Sequence, residues 1–407
     1  MQAFFTLGST TAVREVMDTL KIVVAHNRYQ QRGGEDVVLE MESKLLQECG
    51  VDLDLLLEDN DGISTSFSKL KAACGATFSV PQYFKYKKYF NHLAPDVLHV
   101  HNFFPRISPA IFYASKACGV PSVMTLHNFR TICPTTTLLH HDAVTERSIT
   151  DGPFWAVKEK VYRGSALGTF ALASMISVNK FFGTWRNCID GYIALTEFSR
   201  QKFIQAGFPA DKIHVKPNFI FDPGYDHASR AWETREFALF VGRLAPEKGV
   251  SVMLEAWKRL GIPLVVVGGG PLEAQLKAVD NPAITFLGTQ SPASVQQLMR
   301  RARFLVMPSV WYEGFPMTLL EAFAVGLPVV ASDIGSLAEL VQDGVTGKLA
   351  RAGDAEHLAA TCETLYDSKG LLEEMSVNAR AAYAGNYTPE INVEQLLRIY
   401  DLIRRKK

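Results

Sequence analysis

The sequence lacks an excess of charge of either sign. Its 407 residues contain 42 lysines plus arginines and 42 aspartates plus glutamates, which gives a formal net charge of zero at neutral pH. A protein that binds nucleic acid through its overall field carries a net positive charge. The balance therefore argues against nucleic acid as the main partner.

Cysteine clusters and metal-ligand patterns are also missing. The six cysteines are scattered and no CxxC pair occurs, so neither a disulfide framework nor a zinc site is indicated. No spacing of His, Cys, Asp or Glu is typical of a metal centre. We therefore expect no metal and no cofactor, and a reducing, cytoplasmic compartment.

Long apolar runs are absent as well. The longest uncharged run in the apolar middle section covers residues 164–179, which is too short and too rich in Gly, Ser and Thr to cross a bilayer. Residues 1–16 lack the basic start and apolar block of a secretory signal, and Met17 stands just before the first strand pattern. We expect residues 1–16 to be a disordered extension, with Met17 as an alternative start of translation.

What the chain does contain is a regular alternation of apolar β-type runs with amphipathic helical stretches, which predicts an α/β protein with parallel sheets covered by helices. A linker rich in Pro, Gly and charge, residues 217–236, separates two such series. The length also favours two domains, here 17–217 and 218–387, both doubly wound. A last helical pattern, 388–407, could pack back on the first domain. Ligands of such sheets bind at the carboxyl ends of the strands, so a cleft between the domains is the expected site.

The stretch PSVWYEGFPMTLLEAFAVGLPVV at 308–330 places two carboxylates around the start of a predicted helix, 316–325. Glu313 precedes that helix, and Glu321 lies within it. The residues Gly314, Phe315 and Pro316 connect them to the helix N-terminus, which is a natural seat for phosphate. Because a carboxylate can accept hydrogen bonds from a vicinal diol, the pair suits a nucleotide sugar. The alternative is a solvated loop residue and an ordinary surface residue of the helix.

Two loops add groups that suit a phosphate-bearing ligand. FVGRLAPEKG brings Arg243 and Lys248 to the end of a strand, where they could clamp a diphosphate and stabilise a leaving group. In HNRYQQRGGEDVV, Gly33 and Gly34 stand between the first strand and its helix, where bare backbone can approach a ligand. Solvated cations and a tight turn are the plain alternatives.

Histidines end two neighbouring strand patterns. His99 and His101 lie in DVLHVHNFF, and His127 lies in TLHNFR. By strand alternation His99 and His101 share one face of the sheet. His127 is the preferred candidate for contact with a donor sugar, although a lone histidine is more often a hydrogen-bonded core residue.

With these residues in place, the chain resembles the retaining glycosyltransferases of family 4, which have two Rossmann-like domains in the GT-B arrangement. The resemblance runs from Lys21 onward and rests on the E-x7-E motif, on VGRLAPEKG and on LTEFSRQKFIQAGFPADKIHVKPNF. It implies that Glu313 contacts the donor sugar and that Glu321 binds the nucleotide ribose. It also implies that Arg243 and Lys248 hold the diphosphate without a metal, that Gly33 and Gly34 border the phosphates and acceptor, and that His127 touches the transferred sugar.

The resemblance further implies transfer of a hexose from a UDP- or GDP-sugar to a glycan or lipid-linked acceptor, with retention of configuration. HNRYQQRGGEDVV and HVHNFFPRISPAI resemble enzymes that build bacterial surface polysaccharides at the inner membrane. Two alternatives stay open: a sugar-nucleotide epimerase of the same fold, and a non-catalytic sugar-nucleotide-binding protein.

A basic and aromatic segment is compatible with peripheral contact to an anionic membrane. Between residues 153 and 189 there are five basic residues against one acid, Glu159, with Phe154, Trp155, Phe181, Phe182 and Trp185 at the ends; YFKYKKYF at 83–90 adds three lysines. The alternative is a pair of helices that bury their apolar faces in the first domain.

Overall fold

The chain folds around two parallel six-stranded sheets. The computed structural model describes residues 20–28, 33–59, 75–224 and 235–405. The expected extension, residues 1–16, lies outside these ranges. Five of the cysteines fall inside them, and all five are free thiols.

The first sheet has the strand order β2-β1-β3-β4-β7-β8, and all of its pairings are parallel. Its central strands are buried on both faces, and buried polar residues such as His99 and His101 stand among their apolar ones. Its members are β1 (Lys21–Arg28), β2 (Asp52–Asp59), β3 (Val97–Asn102), β4 (Ser122–Leu126), β7 (Gly191–Ala194) and β8 (Ile213–Val215). A small antiparallel hairpin lies beside it, β5 (Leu139–His140) and β6 (Ala143–Val144).

The second sheet repeats this plan with the order β11-β10-β9-β12-β13-β14, again parallel throughout. Its members are β9 (Phe237–Val241), β10 (Leu264–Val267), β11 (Ile284–Gly288), β12 (Ala302–Met307), β13 (Val329–Ser332) and β14 (Gly347–Ala350). The predicted fold class, two doubly wound Rossmann-like units, is confirmed.

Helices cover both sheets. Those of the first half are α1 (Gly34–Glu48), α2 (Val80–Leu93), α3 (Ala110–Ala117), α4 (Arg147–Thr150), α5 (Trp155–Lys158), α6 (Ala166–Phe181), α7 (Thr184–Asn187) and α8 (Glu197–Gln205). Those of the second half are α9 (Val250–Trp257), α10 (Glu273–Lys277), α11 (Pro292–Arg301), α12 (Met317–Ala324), α13 (Gly335–Leu340), α14 (Ala355–Asp367), α15 (Lys369–Asn386) and α16 (Pro389–Arg405). The helix predicted at 316–325 is α12, which begins one residue later because Pro316 is its N-cap.

The C-terminal helix α16 packs on the first sheet. Its Leu396 and Tyr400 belong to the same buried cluster as Ile22 and Val24 of β1. Arg404 donates to Asp96 at 3.0 Å, just before β3. The last helix therefore returns to the first sheet after the second sheet is complete, and this ties the two halves of the chain together.

Candidate active site

A cavity of about 710 Å³ lies between the two sheets, at the ends of several parallel strands. Strands β4, β9 and β12 end at its walls, since the residues that follow each of them line it. This is where doubly wound sheets place their ligands. The cavity brings together nine of the predicted site residues: Gly33, Gly34, His127, Arg243, Lys248, Glu313, Gly314, Phe315 and Pro316.

Glu313 and Lys248 form a direct ion pair in the cavity wall. Lys248 Nζ lies 2.7 Å from Glu313 Oε1, and Ser309 Oγ donates to the same oxygen at 2.7 Å. Burial by itself would raise the pKa of Glu313, but the Lys248 ammonium and these hydrogen bonds outweigh it and hold the pKa below its usual value. Glu313 is thus a buried, ionised carboxylate whose acceptor atoms are fixed in place.

The backbone explains how two residues 65 positions apart meet. Gly249, which follows Lys248, has a φ of +66°, and a Cβ at this position would lie 1.8 Å from the carbonyl oxygen of Pro308. Only glycine allows this approach. The amide of Val310 also donates to the carbonyl of Glu247 at 3.0 Å, so the two loops are joined on both sides of the ion pair.

The N-terminus of helix α12 opens onto the same cavity. Phe315, Pro316, Met317 and Thr318 line it, and no side chain in the described ranges caps the helix. The first backbone N–H groups of a helix have no partner within it and carry a partial positive charge. An anionic group in the cavity would therefore meet both this helix terminus and the Lys248 ammonium.

Arg243 stands at the rim of the cavity. Its side chain is 66% exposed, and Nη1 lies 3.9 Å from Glu247 Oε1, which is a loose contact. The guanidinium can therefore turn toward a ligand without breaking a strong ion pair.

The first domain supplies the opposite wall. Gly33 is the N-cap of α1, and its amide donates to Asp36 Oδ2 at 2.8 Å. A Cβ on Gly34 would meet no atom of the described residues within 4 Å, so their packing does not require glycine there. His127 follows β4, lies largely buried, and has a pKa that burial holds well below its usual value. It is a neutral imidazole at physiological pH.

The two walls touch at Gly314. A Cβ on Gly314 would lie 2.7 Å from the carbonyl oxygen of His127, which is closer than such atoms approach in proteins. The glycine of the EGF segment is therefore the point where the backbone of the second domain reaches the backbone of the first.

Glu321 is the one predicted site residue that the structure leaves outside the cavity wall. It lies on α12 three residues beyond Thr318, it is half-buried, and its carboxylate has no hydrogen-bond partner in the described part of the chain. Burial raises its pKa to about 7. A carboxylate in this state gains more than a solvated one from hydrogen-bond donors brought by a ligand.

Comparison with known proteins decides the family. The family described as "Glycosyltransferase Family 4" matches residues 32–221, and "Glycosyl transferases group 1" matches residues 225–382. A phosphatidyl-myo-inositol mannosyltransferase of Mycobacterium leprae is 30% identical over 269 residues, which is 61% of this chain and 70% of that protein. The chain belongs to glycosyltransferase family 4.

Two further comparisons are informative for this family 4 glycosyltransferase. The amylovoran biosynthesis glycosyltransferase AmsK of Erwinia amylovora is 30% identical over 225 residues, which is 51% of this chain and 55% of that protein. The crystal structure of HepE from Anabaena in complex with UDP superposes with a TM-score of 0.65 at 18% identity, covering 94% of this chain and all of that chain. At that identity the superposition shows the shared GT-B fold.

The family 4 glycosyltransferase also has interdomain contacts that its sequence did not predict. Glu339 of α13 accepts hydrogen bonds from the amides of Glu197 and Phe198, at 2.8 and 2.7 Å, and so caps helix α8 of the other domain. Tyr312, next to Glu313, donates to Glu146 at 3.0 Å and packs on Phe198 with ring centres 4.6 Å apart. These contacts hold the walls of the cavity together. Glu339 and Glu146 look like ordinary surface residues in the sequence.

Two groups of potential metal ligands occur among the described residues, Glu42/His99/His101 and His140/His141/Glu159. Neither group contributes a residue to the cavity. In the buried group, Lys216 Nζ already lies 3.0 Å from Glu42 Oε2 and supplies the positive charge. The positive groups at the cavity itself include Lys248, Arg243, Arg130 and the α12 terminus.

Proposed function

We propose that this glycosyltransferase moves a hexose from a nucleoside-diphosphate sugar to a glycan or lipid-linked acceptor, with retention of anomeric configuration. The observation that carries the proposal is the Lys248–Glu313 ion pair beside the open N-terminus of α12, facing His127 across the cavity. A diphosphate suits the cationic side, and sugar hydroxyls suit the carboxylate and imidazole. The crystal structure of HepE in complex with UDP-glucose, which has the same fold, supports this donor class.

In the proposed reaction the bond between the anomeric carbon and the phosphate oxygen breaks, and its electron pair stays on the nucleoside diphosphate. The acceptor oxygen bonds to the anomeric carbon on the same face, and its proton passes to the leaving phosphate oxygen. Lys248, Arg243 and the helix terminus stabilise the negative charge that grows on that phosphate, so the proposal needs no catalytic metal. Glu313 and His127 hold the sugar in the geometry for attack.

A two-stage experiment tests this function. Thermal shift with a set of UDP- and GDP-sugars identifies the donor, and that donor is then incubated with a lipid-linked acceptor. We expect a glycosylated product whose new bond has the anomeric configuration of the donor in its proton NMR spectrum. An epimer formed from the donor alone would instead indicate an isomerase, and binding without any product would indicate a non-catalytic binding protein.

We further propose that Glu321 receives the ribose of the donor as an ionised carboxylate. Its pKa of about 7 in the free protein means that ribose binding would release a proton at neutral pH. Affinity should then increase between pH 6 and pH 8, by about tenfold for a group that must ionise to bind. Calorimetric titration of the nucleoside diphosphate into wild type and Glu321→Gln measures this.

Glu321→Gln is the control, because the phosphate groups of the ligand also ionise in this pH range and change the affinity of both proteins. We expect the affinity of the variant to change less with pH than that of wild type, and the difference is the contribution of Glu321. Equal pH dependence in the two proteins would contradict the assignment.

We propose that the first domain makes peripheral contact with an anionic membrane on its cytoplasmic side, where a lipid-linked acceptor is supplied. Helix α6 buries one face through Leu172, Met175 and Ile176, as expected for a helix that packs its apolar face in the first domain. Beyond this helix's buried face, however, Phe181 and Phe182 are 84% and 68% exposed. The basic residues Lys158, Lys160, Arg163, Lys180 and Arg186 belong to the same segment.

One aromatic residue does not belong to this surface. Trp185 is buried, with its ring centre 5.8 Å from that of Phe103 and 6.2 Å from that of Phe208. Its aromatic area stabilises the core of the first domain instead. In the described part of the chain no helix is both long and apolar enough to span a bilayer.

Sedimentation with vesicles tests the membrane proposal. We expect the protein to pellet with vesicles of anionic phospholipid at low salt, and to pellet several-fold less after Phe181→Ser and Phe182→Ser. A control with Leu287→Ser and Val377→Ser removes exposed apolar residues of the second domain and should bind like wild type. Wild type that stays in the supernatant would contradict the proposal.

A further inference from the structure

A chain of buried hydrogen bonds runs from the cavity wall into the core of the first domain. His127 Nε2 lies 2.9 Å from His101 Nδ1, and His101 Nε2 lies 3.1 Å from Glu42 Oε1. The other oxygen of Glu42 lies 3.0 Å from Lys216 Nζ. All four side chains are buried, and only His127 lines the cavity.

The Lys216 end of this chain of hydrogen bonds determines which atoms donate and which accept. Lys216 is held between Glu42 and the Asn392 side-chain oxygen, which lies 3.1 Å away on α16. Burial by itself would raise the pKa of Glu42, but Lys216 and the hydrogen bond from His101 outweigh it and hold the pKa well below its usual range. Glu42 is therefore a carboxylate, and a carboxylate only accepts hydrogen bonds.

The protons of the two imidazoles follow from that end. Because Glu42 only accepts, His101 must carry its hydrogen on Nε2. A neutral imidazole has one N–H, so His101 Nδ1 accepts, and His127 Nε2 must then donate to it. On the other side of Glu42, the Lys216 ammonium already supplies a positive charge, with Nζ 3.0 Å from Oε2.

His99 belongs to the same buried cluster but is not part of this chain of hydrogen bonds. Its Nδ1 is 2.8 Å from the Tyr400 hydroxyl, and its Nε2 is 2.7 Å from Thr125 Oγ1. Its Nδ1 lies 3.4 Å from Glu42 Oε1, and among the described residues no hydrogen bond joins it to His127. His99 therefore offers a matched control within the same core.

We propose that Glu42 and His101 are positioning residues that lock His127 as the tautomer with hydrogen on Nε2. His127 Nδ1 then presents a lone pair, so it accepts a hydrogen bond from a hydroxyl group of the ligand in the cavity. This deepens the proposed function and rests on it for the identity of that ligand as a sugar. The tautomer itself follows from the protein alone.

Nitrogen-15 NMR of the full chain labelled at histidine tests the tautomer without any substrate. The His127 signals are assigned by their loss in His127→Gln. In wild type near pH 7.5 we expect the chemical shift of Nε2 to be that of a protonated ring nitrogen and that of Nδ1 to be that of an unprotonated one. Hydrogen on Nδ1, on both nitrogens of His127, or on both nitrogens of His101 would overturn the proposal.

Paired variants test what the lock does. Glu42→Gln combined with Lys216→Met removes both charges together, and we expect the two His127 nitrogen shifts to move toward each other as both tautomers become populated. The kcat/KM for the nucleotide sugar should fall about tenfold, the effect of one hydrogen bond, while affinity for the nucleoside diphosphate alone stays unchanged. His99→Asn should leave the His127 shifts in place.

These readouts separate the two proposals. If wild type shows the Nε2–H tautomer but no sugar is transferred, the proposed function fails and the lock stands. If transfer occurs with a mixed or reversed tautomer in wild type, the lock fails and the function stands. Should the paired variant not fold, the wild-type spectrum still decides.

Discussion

Glu313→Gln is expected to lower the rate of sugar transfer by about a hundredfold to a thousandfold, the usual cost of losing one preorganised polar group in an active site. Glutamine keeps the shape of the side chain but loses the charge and one acceptor oxygen. Lys248, whose Nζ is 2.7 Å from Glu313 Oε1, would then lose its fixed position as well. Single-turnover transfer from the identified donor measures the effect.

The fold should survive this substitution. Breaking a fully buried ion pair costs about 3–5 kcal/mol, but the Lys248 side chain is 24% exposed, so water can solvate the charge that remains. The loss in the free energy of unfolding should therefore stay below that range. Glu255→Gln, on the exposed pair with Lys258, is the matched control and should transfer at the wild-type rate. Activity of Glu313→Gln within about threefold of wild type would contradict a role for this carboxylate in the reaction.

Gly314→Ala is the second large expected effect, because the new Cβ would lie 2.7 Å from the carbonyl oxygen of His127. The carbonyl oxygen belongs to the backbone and the new Cβ is fixed to it, so the clash is relieved only if the two domains separate. Groups that act together from the two walls would move apart, and a displacement of about 1 Å can cost about a hundredfold in rate. We expect kcat to fall by that amount.

Affinity for the nucleoside diphosphate should change little in Gly314→Ala, since Lys248, Arg243 and the α12 terminus all belong to the second domain. Gly370→Ala is a suitable control, because a Cβ there meets no described residue within 4 Å and the position is helical, where alanine is favoured. Equal kinetics of Gly314→Ala and Gly370→Ala would show that the close approach of the two walls does not matter for the reaction.

The sequence predicted best what depends on local patterns. Arg243, Lys248 and Glu313 each follow a strand of a parallel sheet, and the carboxyl ends of such strands meet at one edge. Their convergence on the cavity could therefore be expected from the order of strands and loops. The fold class followed from the same alternation of strands and helices.

Contacts between distant parts of the chain were not predictable in this way. Glu42 and Lys216 are 174 positions apart, and in the sequence each looks like an ordinary charged surface residue. Their buried ion pair therefore becomes visible only in the folded chain. The ion pair between Lys248 and Glu313 depends on the φ of Gly249, which no sequence pattern specified. Trp185 was grouped with surface aromatics because it stands with other aromatic residues at the end of a basic segment, whereas its short helix turns it into the core.

The structure of a complex with the donor identified by thermal shift tests the central claim most directly. We predict the diphosphate within hydrogen-bond distance, about 3 Å, of Lys248 Nζ and of the first backbone amides of α12, with Glu313 at a hydroxyl of the hexose and Glu321 at the ribose. A nucleotide bound outside the cavity, or one that leaves both glutamates beyond hydrogen-bond distance, would contradict the account.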